Sequence, residues 1–91
     1  MQLSFEELWN ECEKLHSNNV DLNSVLDELI LKVNLYKFID EKEILNEEKQ
    51  KAKAHIIGEL LLSLSKISVK DNINIYESLI NTFIAMKNIN L

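Results

Sequence analysis

Ninety-one residues contain no proline and a single glycine, Gly58. That scarcity constrains the fold more than any other feature. Hairpins and tight β-connections draw on residues that tolerate positive φ or arrive with φ preset, and this chain has almost none of them. Helices joined by Asn, Asp and Ser corners need neither. The expected fold class is therefore all-α, an antiparallel bundle of about four helices, with residues 1–91 as one helical domain. A chain this short buries only about 60–65% of its unfolded surface, so completion of the bundle by dimerisation is also expected.

Apolar spacing places the helices. "SFEE" opens the first: Ser4 and Glu7 form the S-x-x-E capping box, and Phe5, Leu8, Trp9, Cys12 and Leu15 make one stripe. "HSNNVD" should end it. The second helix is expected from about Leu22 or Ser24 to Ile39, apolar over more than one face, which calls for burial on several sides. "IDEKEILNEEKQ" offers two helix starts, Asp40 with Glu43 and Asn46 with Glu47 and Glu48. Sequence leaves open whether residues 40–46 break the second and third helices; a short turn is expected there. The third helix should then reach about Ser68, its polar first half projecting past the bundle and its apolar second half packing. "VKDNIN" forms the next corner. Asn74 with Glu77 caps a fourth helix with the stripe Tyr76, Leu79, Ile80, Phe83 and Ile84.

Charge narrows the function classes. The net charge is −5 and the lysines at 49, 51 and 53 adjoin Glu47 and Glu48, so no cationic footprint for a phosphate backbone is visible and no nucleic-acid partner is expected. No uninterrupted apolar run reaches the length of a membrane span, so no membrane partner is expected. "MQLSFEELWNECEKLH" has neither a basic segment nor an apolar core of a secretory leader, and Cys12 is the sole cysteine. A cytoplasmic location is the expectation.

Candidate sites are few. Cys12 and His16 lie four apart, but a zinc site wants four ligands and no second cysteine exists. Trp9 reads as a core or interface anchor. His55 and Glu59 share a helix face one turn apart. Asp27 and Glu28 sit in the opening turns of the second helix, where acids complement the dipole. If they met Glu59 across a helix pair, clustered carboxylates would suit Mg²⁺, with Asp27, Glu28 and Glu59 as metal-side groups and Glu59 and His55 as catalytic candidates. Gly58 within a helix costs about 1 kcal/mol against alanine and implies close approach of another helix.

"AHIIGELLLSLSKISVKDNINIYESLINTF", residues 54–83, resembles the last two helices of the MazG-like nucleotide pyrophosphohydrolases. In that all-α family an E-E-L-G-D-L-L segment precedes an apolar run, a corner and a final helix. "HIIGELL" is similar to that segment, with Gly58 at the glycine and Glu59 at the aspartate. "NINIYESL" resembles the start of the final helix, and Asn81 falls at an asparagine often found there. "VLDELILKV" is similar to E-E-x-x-E, with Asp27 and Glu28 on its first two acids. The resemblance implies Mg²⁺ held by four carboxylates and hydrolysis of the α–β phosphate bond of nucleotides. Two ligand positions depart from the pattern, at Leu31 and Ile56, so the implied metal set is degenerate.

The primary functional expectation is a small soluble helical protein-interaction module, an accessory, regulatory or inhibitor subunit that self-associates as a homodimer. Its expected interface residues are Leu29, Val33, Tyr36, Ile57, Gly58 and Leu61. No cofactor and no catalytic activity are expected in that case; a protein partner is. The alternative is a divergent or inactive MazG-like enzyme using Mg²⁺.

Overall fold

A computed structural model describes residues 2–16 and 20–89. Four helices follow in order: α1 (Phe5–Lys14), α2 (Leu22–Glu41), α3 (Asn46–Asp71) and α4 (Ile75–Ile89). The all-α bundle expected from the scarcity of turn residues is the observed class. No strand occurs among the described residues. Part of the "HSNNVD" break, residues 17–19, lies outside them.

Local chemistry sets the ends. Ser4 Oγ accepts from the Glu7 amide at 3.1 Å and Glu7 Oε1 accepts from the Ser4 amide at 3.4 Å, the reciprocal box read from sequence. Asp21 starts α2 by accepting from the Asn23 amide at 3.2 Å and the Ser24 hydroxyl at 2.7 Å. The α2/α3 turn needs correction in two respects. Asp40 is not a cap, because α2 runs on to Glu41. Asn46 is the first residue of α3 and the cap position is Leu45, which offers no side-chain acceptor. Glu47 and Glu48 then complement the dipole in place of a cap. Residues 42–45 do break the two helices.

The far end of α3 differs as well. The helix continues through Val69, Lys70 and Asp71 and stops where Asn72 turns left-handed, at φ 53° and ψ 46°. Asparagine tolerates that region better than other non-glycine residues. The amides of Asn72 and Ile73 both return to the Ser68 carbonyl. Asn74 Oδ1 then accepts from the Glu77 amide at 3.0 Å, the fourth-helix cap that was expected.

α3 is the hub, packing along α2 and against α1. Asp40 meets Lys53, Lys32 meets Glu59 and Glu28 meets Lys66, so α2 and α3 run antiparallel. The polar first half of α3 therefore does not project free, as expected, but lies along the C-terminal half of α2; Lys49 Nζ donates to the Asp40 carbonyl at 3.0 Å. On α3 the residues facing α2 (53, 56, 59, 66) and those facing α1 (61, 65, 68) lie on nearly opposite sides at about 100° per residue. α1 and α2 thus grip different faces of α3. Only Trp9, Val25 and Ile56 are buried apolar residues among those described.

Candidate interaction surface and charge network

The seam between α2 and α3 is held largely by charge. Lys32 Nζ lies 2.9 Å from Glu28 and 3.6 Å from Glu59, while Lys66 Nζ reaches the other Glu28 oxygen at 3.3 Å. The hydrogen bond from Lys32, with help from Lys66, holds the Glu28 carboxyl below the ordinary glutamate value against the upward push of burial. The same bond from Glu28 raises the Lys32 ammonium above its ordinary value. At the other end of the seam the Lys53 ammonium sits over the Tyr36 ring at 5.4 Å and pairs with Asp40, lowering the Asp40 carboxyl and raising itself.

This seam decides where the acids named from sequence go. Glu28 and Glu59 converge from different helices, with the Lys32 ammonium between them. Asp27 is exposed, about 100° round α2 from Glu28. His55 is largely exposed, with Nε2 3.4 Å from Glu59 Oε1. Among the described residues no three His, Cys, Asp or Glu side chains gather closely enough to hold an ion. A Mg²⁺ site needs several hard oxygens aimed at one point, and here the two carboxylates that approach one another are each bound by lysine. The residues present do not fit the implied ion.

α1 docks on the other face of α3 through Ser65 and Ser68, which sequence reading missed; Ser63, seven residues after Ile56, lies on the α2 side. Ser63, Ser65 and Ser68 are the most enclosed polar residues described. Ser65 Oγ donates to the Leu62 carbonyl at 2.6 Å, so its oxygen accepts from His16 Nε2 at 2.9 Å, and the network assigns the proton to Nε2. Ser68 Oγ lies 2.6 Å from both Glu13 Oε2 and the Ile73 carbonyl, tying α1 to the α3/α4 corner with one hydroxyl. The only sequence signal was their spacing of two and three residues in an apolar run whose one charge is Lys66. Ser63 Oγ and Trp9 Nε1 are enclosed with no partner among the described residues, at about 1–3 kcal/mol each.

The residues expected at an interface are distributed unevenly. Leu29 and Tyr36 are half-buried along the α2/α3 seam, whereas Val33, Ile57, Gly58 and Leu61 are exposed. The expected close approach of another helix at Gly58 does not occur within the chain: a Cβ built there meets nothing within 4 Å. Gly58 instead floors an apolar groove of about 270 Å³ walled by Phe5, Leu8 and Cys12 of α1 and Leu61 and Leu62 of α3. Leu26, Ile30, Leu31, Val33, Leu35 and Phe38 leave both outer flanks of α2 open. The α4 stripe is open too, with Leu79 and Phe83 each 63% exposed. No helix among the described residues is long and apolar enough to cross a membrane. Comparison with protein-family models, curated proteins and solved structures gave no match.

Proposed function

We propose that this chain is a helical protein-interaction module, an accessory, regulatory or inhibitor subunit that self-associates as a homodimer. One quantity carries the reading. The chain exposes 7301 Å², against about 5,500 Å² for a compact monomer of its mass. The excess, roughly 1,800 Å² per chain, lies within the 1,000–2,500 Å² that each subunit of an obligate homodimer buries. The radius of gyration points the same way, at 15.6 Å against about 12 Å for a compact chain of this length. Large open apolar patches on a small chain mark association surfaces.

Sedimentation velocity with light scattering at micromolar concentration tests this. A dimer or closed oligomer is the expected result, and a well-folded monomer overturns the reading. The alternative, Mg²⁺-dependent nucleotide chemistry, would have to displace Lys32 from between Glu28 and Glu59 and bring Asp27 round α2. A thermal-shift titration of Mg²⁺ with nucleotides separates the two: a rise in Tm would favour the alternative through mass action.

A further inference from the structure

We infer that the seam of the dimer is α4 of one copy seated in the Gly58 groove of the other, exchanged reciprocally about a two-fold axis. This rests on the self-association proposed above and assigns its location and its occupant.

The groove lacks an occupant within its own chain. Its floor is the one helical position without a side chain, and glycine there weakens α3 with no compensating contact inside the chain. A helix from outside can approach the α3 backbone at that point because no Cβ stands in the way. The walls are apolar on both sides, Phe5 and Leu8 facing Leu61 and Leu62. The groove adjoins, through Phe5, Trp9 and Leu61, a second apolar gap of about 360 Å³ lined across from Leu64 by Ile75, Tyr76, Leu79 and Thr82 in the first two turns of α4. Each chain's α4 therefore begins at the edge of its own groove, the position from which two copies can exchange α4 across a two-fold axis.

α4 is the element whose chemistry matches such a groove. Residues 78–86 carry no charged side chain, unlike any equally long stretch of the open α2 flanks, where Asp27, Lys32 and Lys37 interrupt. Leu79, Ile80, Phe83 and Ile84 form one exposed ridge at helical spacing. Charge sits outside both surfaces: Glu77 precedes and Lys87 follows the uncharged run of α4, and Glu11 on the exposed side of α1 is paired with Lys14 at 3.0 Å. A groove and a ridge on one chain form a closed pair when the symmetry is two-fold, so the groove and the ridge of each copy are both covered.

The test compares the dissociation constants of the full chain and three variants by sedimentation equilibrium, with far-UV circular dichroism on each. Gly58→Leu fills the groove and Phe83→Asp charges the ridge; each should weaken the dimer roughly tenfold or more, about 1.4 kcal/mol, with helix content retained. Phe38→Asp, on the open α2 flank, should leave the dimer intact. Emission of Trp9, the only tryptophan, should shift on dilution in step with dissociation. Should Gly58→Leu lose its helix signal, Gly58→Ala replaces it, with a smaller weakening expected. A dimer insensitive to both groove and ridge variants but broken by Phe38→Asp overturns the α4 seam and leaves self-association standing. A monomeric wild type overturns both.

Discussion

The α2/α3 hairpin carries far more charge than α4, yet the hairpin is the most tightly tied part of the molecule and the more apolar helix lies open. The hairpin buries Val25 and Ile56 and is laced along its length by Glu28–Lys32–Glu59, Glu28–Lys66 and Asp40–Lys53. α4 has the cleaner ridge and no buried residue among those described. The difference lies in how chains find partners. A short turn delivers α3 directly onto α2, and complementary charges set their register. The left-handed turn at Asn72 and the Ser68 hydrogen bonds turn α4 off the end of α3, where its first two turns border an apolar gap against α1 and α3 and its ridge stays open. An apolar stripe shows that a face needs cover and is silent on which surface provides it.

That contrast can be broken first at its strongest point. Ile56→Ala should destabilise the fold by about 2–5 kcal/mol, enough to unfold much of a domain this small, as read by chemical denaturation. Ser68→Ala removes the one hydroxyl proton that the Glu13 carboxylate and the Ile73 carbonyl both face, and so loosens α1 from the corner; a loss of about 1–3 kcal/mol is expected in the same measurement. Glu28→Gln probes the charged seam and should cost no more than about 1 kcal/mol, the pair being partly solvated, with the effect shrinking in high salt. The pH dependence follows from its sign. Folding lowers the Glu28 carboxyl, so this contribution is whole above the ordinary glutamate value and is lost as pH falls through the lower folded value. Melting temperatures from about pH 6 down to about pH 3 should drop more for wild type than for Glu28→Gln. The smallest effect is expected on α4: Phe83→Ser should change the stability of the dissociated chain by less than about 0.5 kcal/mol. A large loss in dilute monomer would show that α4 packs on its own bundle and would erase the contrast.

Much of the fold is legible in the residues. Ser4 with Glu7 and Asn74 with Glu77 are caps whose atoms lie three residues apart, so sequence spacing is already geometry. The absence of proline and the single glycine argue against tight β-connections. The start of α3 was less readable, because Asn46 and Leu45 are neighbours and either can precede a first turn flanked by Glu47 and Glu48. Ser63, Ser65 and Ser68 were passed over because a serine in an apolar run is usually an exposed interruption. Here α1 and α2 hold opposite sides of α3 and enclose them. The acids show the same limit. Glu28 and Glu59 could be named, and so could Lys32 four residues from Glu28, but that the ammonium would stand between two carboxylates depended on the register of two helices.

The sequence alone determined that the chain is helical, where the caps of α1 and α4 lie, and that α2 is apolar over more than one face. Those properties are set within a few residues, by dihedral preference and side-chain reach. Only the tertiary structure decided that Gly58 floors an open groove instead of a packed crossing, that Lys32 occupies the space between Glu28 and Glu59, and that the α4 ridge is left uncovered. Each depends on where helices distant in sequence come to rest, which the periodicity of one helix does not encode.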